Sequence, residues 1–233
     1  MKITILTICP EEFDSFRKTH VISRAVSLGL LSLDIVDIRD FAGGSFRRVD
    51  DSPFGGGRGL LLRCVPVLKA VEWAKKQGGD GYTAALCPAG NVFNQKKAHE
   101  WAQKEHLILI CGHYEGLDAR IYNHVDERVS IGDFVISGGE LASMVITDAV
   151  ARLLKGNLKA GSAEDESFEN GLLEYPQYTQ PADYNGEKVP EVLLSGNHAR
   201  IDSWRHEQAL SETKKYRPEL LQKQTISKTT ENA

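Results

Sequence analysis

The sequence predicts an α/β protein built on a mainly parallel sheet and followed by a small C-terminal helical domain. Three observations carry that reading. Residues 107–111, Leu-Ile-Leu-Ile-Cys, form an unbroken apolar run of strand length, which suits a strand buried on both faces. Strand-like and helix-like patterns alternate from residue 2 to residue 152, the order that gives right-handed crossovers and parallel strands. After Leu154 the texture turns polar, glycine-bearing and acidic, with Glu164, Asp165 and Glu166 in succession.

Each element follows from its own residues. Residues 2–8 are β-branched and read as the first strand, and Pro10 with Glu11 and Glu12 opens a helical turn. Residues 21–30 carry apolar side chains at helical spacing and stop at Gly29. Residues 31–38 alternate and read as a second strand. Residues 40–60 hold Gly43, Gly44, Pro53 and the run Gly55-Gly56-Gly57 among Arg47, Arg48 and Arg58. A long irregular loop of this kind is either a mobile excursion or a functional segment, and arginines beside so much glycine favour phosphate contact. An amphipathic helix is expected over 65–77, a strand over 82–86, a helix over 94–105, the central strand over 107–111 and a short strand over 133–136. A helix then carries Leu141, Met144, Val145, Asp148, Ala149 and Arg152. The polar stretch after Leu154 reads as a linker, dividing the chain into domains at 1–155 and 171–233 joined by 156–170. The second domain is helical over 192–221, with Arg200, Arg205, Lys214, Lys215 and Arg217 among its residues. The tail from Thr225 is polar and expected to fray.

Composition narrows the function. At 233 residues and 41% hydrophobic content, the chain can bury a real core. A net charge of −4 and a pI near 6.0 argue against nucleic-acid binding by bulk charge, though not against a local basic patch. Cys9, Cys64, Cys87 and Cys111 are dispersed without a CxxC pair, so no zinc motif is suggested, and Cys111 reads as a small apolar side chain. The apolar run at the N-terminus is too short for a signal peptide, and no segment reaches the length of a membrane span. A reducing, cytoplasmic location is expected.

Three glycine-containing turns, at 87–90, 111–116 and 131–139, follow or bracket strands. Open α/β sheets bind ligands beyond the carboxyl ends of their strands, where glycine lets backbone amides come close. None of the turns is a GxGxxG fingerprint or a GxxxxGK[ST] loop, which disfavours nicotinamide redox chemistry and nucleotide hydrolysis. A ligand held mainly by backbone groups, such as an adenosyl cofactor, fits better; pattern alone leaves ordinary tight turns as the alternative.

Five motifs carry a resemblance: VDDSPFGGG at 49–57, CGHYEGLD at 111–118, SIGDFVISGGE at 130–140, GLLEYPQYT at 171–179 and VLLSGNH at 192–198. In this order they closely resemble the TrmD family of bacterial tRNA (guanine-N1)-methyltransferases, within the SPOUT superfamily. The likeness runs from the first strand to about Leu221. It implies a deep trefoil knot in the α/β domain, a rare exception to the rule against threading. It also implies bent S-adenosylmethionine in the knot, a homodimer whose active sites each use both protomers, and methylation of guanosine(37) beside the tRNA anticodon. Residue by residue, the cofactor contacts fall on Leu86, Pro88, Gly112, Tyr114, Glu115, Ile131, Gly132, Asp133, Phe134, Val135, Ile136, Gly138 and Gly139. Glu115 is further implied to hold a magnesium ion. Ala142 stands where many members have proline, and Phe134 where tyrosine is common.

The implied chemistry requires two further side chains. Guanine N1 is protonated at neutral pH, so a base must take that proton as the methyl arrives. A cation should meet the negative charge growing on O6, and Arg152 fits that role. The family places an acid immediately before Ser-Phe, which here is Glu166 before Ser167 and Phe168. Many members have aspartate there, and Asp165 adjoins it. The base is therefore Glu166 or Asp165, with Glu166 the first choice.

Overall fold

A computed structural model describes residues 1–159 and 166–222. The chain forms two compact units, Met1–Leu158 and a second beginning at Lys159. In the first unit β1 (Lys2–Thr7), α1 (His20–Ser27), β2 (Ser32–Asp37), α2 (Cys64–Gly78) and β3 (Tyr82–Val92) are followed by α3 (Gln95–Ala102), β4 (His106–Cys111), β5 (Glu127–Ser130) and α4 (Gly139–Arg152). The strands make one five-stranded sheet in the order β2-β1-β4-β3-β5, parallel throughout.

The central position of β4 explains its sequence. All six of its residues are buried. Leu107, Leu109 and Cys111 point into one core with Ile146 and Val150 of α4, while Ile108 and Ile110 point into the other with Val67, Ala70 and Val71 of α2. A strand covered by helices on both faces cannot alternate apolar with polar. Burying each such side chain contributes roughly 1.5–3 kcal/mol.

Two expectations are corrected. Residues 133–136 are not a strand; they are irregular, with Val135 87% exposed and Phe134 54% exposed. The strand lies earlier, at Glu127–Ser130, on the sheet edge, where Glu127 need not be apolar. The strand expected over 82–86 continues to Val92. Its pairing with β5 jumps from Leu86↔Val129 to Asn91↔Val129, so residues 87–90 loop out of the ladder.

Residues 156–158 belong to the first unit. Asn157 is 1% exposed; its Nδ2 donates to Val21 and Ala151 carbonyls, and its own carbonyl accepts from Arg24 Nε at 2.7 Å. In the second unit α5 (Glu191–Leu194) and α6 (His198–Tyr216) follow a two-residue ladder of Asp183–Tyr184 with Glu187–Lys188. Among the described residues, no helix is long and apolar enough to cross a membrane.

Candidate functional site

Because the strands are parallel, Thr7, Leu86, Cys111 and Ser130 all stand toward one edge of the sheet. A cavity of about 250 Å³ opens there. The bulge at 87–90 supplies one wall, the turn after β4 a second, and the irregular segment 131–139 leading into α4 a third. The turn after β4 is held from two sides. On one side the Glu115 N–H donates to the Leu60 carbonyl and the Leu62 N–H to the Gly116 carbonyl; on the other, the Gly139 N–H donates to the Gly112 carbonyl. Tyr114, at the crown of that turn, has φ +58°, a conformation uncommon for a non-glycine residue and often found at ligand sites.

Every residue expected to touch the cofactor lines this cavity except Asp133, which is exposed and absent from its walls. Phe134 and Ile136 supply apolar surface, and Gly112, Gly132, Gly138 and Gly139 leave backbone exposed to a ligand. Ala142, where the sequence departs from the family's proline, also lines it, as do Cys87, His113 and Tyr122, which are not among the expected contacts. Tyr122 reaches it from a 3₁₀ segment, Ala119–His124, and no spacing signal announces it. Burial first, and Cys87 next, push the Tyr122 hydroxyl up to about 12, so it stays a neutral donor at physiological pH. The Arg128 guanidinium lies 5.0 Å from its ring.

Glu115 is exposed on the rim, packed so close over Gly59 that a Cβ there would meet its Cγ at 2.5 Å. One exposed carboxylate suits magnesium, which takes one or two protein oxygens and keeps most of its waters. Arg152 ends α4, half-buried, and its charge opposes the burial that raises the Asp148 pKa one turn earlier. Of the three loop arginines, Arg47 pairs with Asp40 and Arg48 with Asp51 at 2.9 Å, while Arg58 is exposed without an ion pair among the described residues.

Glu166 opens the second described stretch, 166–222, within the second unit; Asp165 lies outside the described residues. Glu166 lines a separate cavity of about 750 Å³ in that unit, shared with Glu174, Tyr175, Arg205 and His206. Arg205 stacks 5.0 Å from the Tyr175 ring, and its Nε is buried without a hydrogen-bond partner. The segment from 166 is tied down locally: Ser167 Oγ accepts from the Glu174 N–H at 2.9 Å, and Thr213 Oγ1 of α6 accepts from the Leu173 N–H at 2.8 Å.

A family model described as tRNA (Guanine-1)-methyltransferase TrmD matches residues 1–223. The chain is 51% identical over 224 residues to a tRNA (guanine-N(1)-)-methyltransferase of Metamycoplasma arthritidis, covering 96% of each chain. It is 49% identical over 223 residues to that of Macrococcus caseolyticus, covering 95% of this chain and 92% of the relative. With the protein of the same description from Sulfurihydrogenibium it shares 47% identity over 228 residues, 97% and 90% of the two chains.

Proposed function

The chain belongs to the TrmD family of tRNA (guanine-N1)-methyltransferases, and from that premise we propose that it methylates N1 of guanosine(37), beside the tRNA anticodon. It is an S-adenosylmethionine-dependent tRNA (guanine-N1)-methyltransferase. The observation that carries the proposal is the cavity between the bulge of β3 and the carboxyl ends of β4 and β5, walled in part by the two turns that hold the family motifs at 111–118 and 130–140.

When bound, S-adenosylmethionine supplies a methyl group on a sulfonium. The backbone of the three turns and the Phe134 ring hold and orient it, and the Tyr122 hydroxyl offers a neutral donor. Guanine N1 forms its bond to the methyl carbon as the carbon–sulfur bond breaks and the sulfur keeps the electron pair. The N1 proton passes to the carboxylate of Glu166, or of Asp165. Arg152 meets the charge that develops on O6. Glu115 would hold a magnesium ion at the rim.

The proposal includes the trefoil knot, with the 112–117 turn pinned between 60–62 and 138–139, and a homodimer whose active sites each draw on both protomers. Leu141 and Val145, one turn apart on α4 and each more than half exposed, support a partner surface there. The chain would act in the cytoplasm with its tRNA, and the second unit, with Arg200, Lys214, Lys215 and Arg217 exposed on or beside α6, would carry much of the RNA contact. The deciding experiment is mass spectrometry of nucleosides from a tRNA transcript incubated with protein and methyl donor. N1-methylguanosine should appear and vanish when guanosine(37) is replaced by adenosine; a methyl on another atom or position would overturn the assignment.

A further inference from the structure

We propose that Cys9, His113 and Glu140 form a divalent-cation site, suited to zinc, that braces the cofactor turn from behind. The three residues are distant in sequence, and the fold brings them together. Cys9 lies just past the end of β1, His113 is in the turn after β4, and Glu140 is the second residue of α4. Their ligating atoms all lie within 4.8 Å of one another. Four-coordinate zinc with bonds of roughly 2.0–2.3 Å spaces its ligands about 3.4–3.7 Å apart, so closing on an ion takes movements of about 1 Å.

Three further observations point to a cation. The Glu140 side chain is 2% exposed, yet no lysine or arginine among the described residues pairs with it. Its Oε1 accepts from Thr7 Oγ1 at 2.7 Å, and its Oε2 lies 3.5 Å from His113 Nδ1. Buried carboxylates are ordinarily paired or coordinated to metal. Secondly, His113 Nδ1 is shielded from solvent and has no hydrogen-bond partner. Thirdly, a Cβ added at Gly138 would fall 2.2 Å from Glu140 Oε2 and 2.6 Å from His113 Nδ1. The gap between those two atoms is therefore kept clear by the lack of a side chain.

Thr7 acts as the outer support. Its hydroxyl accepts from the Cys9 N–H at 2.9 Å while donating to Glu140, so one side chain fixes two of the ligands. One sulfur, one nitrogen and one carboxylate oxygen match zinc or cobalt and not magnesium, which separates this site from Glu115. A thiolate and a carboxylate together neutralise a divalent ion. Because His113 also lines the cofactor cavity, the ion would fix the position of the 112–116 turn.

The test reads metal, not methyl transfer, so it stands apart from the function proposed above. Metal-stripped protein is titrated with cobalt(II). A thiolate-to-cobalt charge-transfer band and the visible bands of a four-coordinate ion should appear at one ion per chain and be displaced by zinc. Cys9→Ser should abolish the charge-transfer band and weaken zinc binding by at least about 10- to 100-fold, the loss that removing even an outer-shell partner causes; Cys64→Ser should keep both. In the wild-type chain, zinc should slow alkylation of Cys9 by iodoacetamide, followed by peptide mass mapping, without slowing that of Cys64. The proposal is overturned by saturating cobalt without a charge-transfer band, by a band that survives Cys9→Ser, or by equal Cys9 alkylation with and without zinc.

Discussion

The backbone N–H of Gly139 donates to the Gly112 carbonyl across 2.7 Å, joining the first residue of α4 to the first residue of the turn after β4. Helix and strand end approach so closely that a Cβ at 139 would meet Cys111 Cα at 2.6 Å and Gly112 N at 2.9 Å. Those are backbone atoms at the end of a central strand and the start of its turn, and cannot swing aside as a side chain could. Gly139→Ala should cost about 1–3 kcal/mol of stability by overpacking. It should also shrink the thermal shift produced by S-adenosylmethionine, since the displaced turn walls the cavity. Denaturation with and without cofactor measures both; a variant matching wild type in each would show that the contact yields.

A second prediction concerns pH. His106 opens β4, 4% exposed, with Nε2 2.9 Å from Thr4 Oγ1. Burial is the first cause holding its pKa below the ordinary histidine value. Between that lowered value and about 6.5, where an unfolded histidine titrates, the unfolded chain binds more protons than the native one. Stability from this residue is therefore complete above about 6.5 and is lost as pH falls toward the folded value. The melting temperature should drop between about pH 7 and pH 5.5, and His106→Gln, which keeps a polar partner for Thr4, should flatten that part of the profile. An unchanged slope in the variant would assign the loss to other groups.

The same packing logic decides what the sequence could announce. The run 107–111 reveals a doubly buried strand because no polar residue is tolerated there. The segment 133–136 looks alike in composition, but Phe134 and Ile136 are apolar to line a cavity, and Val135 is exposed. Apolar content reports burial against something, not which partner. Glu127–Ser130 escapes because an edge strand can carry Glu127, whose carboxylate meets Lys97 and Tyr82. Tyr122 and the Cys9–His113–Glu140 cluster escape for a different reason: chain crossings bring together residues that share no local spacing. The cavity-lining turns were legible through their glycines and their likeness to a known family.

Binding of tRNA should weaken with salt, and the arginines should differ in their share. Arg47 and Arg48 are committed to Asp40 and Asp51, whereas Arg58 is exposed. Each phosphate contact contributes about 0.7–0.9 to the slope of log K against log salt. Arg58→Ala should lower the slope by about that amount, and Arg47→Ala by less. Equal effects, or a flat salt response in the wild type, would remove this loop from the RNA surface.

Arg152 is assigned to the charge on O6 and not to the cofactor, and it is absent from the walls of the 250 Å³ cavity. Arg152→Ala should therefore keep S-adenosylmethionine affinity by calorimetry while methyl transfer falls by about 10²–10³-fold, the usual cost of removing one transition-state donor. Loss of cofactor binding in parallel would mean that the residue holds the fold of α4 instead.

The choice between Glu166 and Asp165 turns on the proton at N1. Without a base, attack on the methyl carbon would leave a cationic ring, so removing the carboxylate should slow the chemical step by roughly 10²–10⁴-fold and leave tRNA binding largely intact. Glu166 lines a cavity that it shares with Arg205 and Tyr175. Single-turnover rates should fall for Glu166→Gln and stay near wild type for Asp165→Asn. The opposite ranking would move the base to Asp165, and two active variants would require the proton to leave by another route.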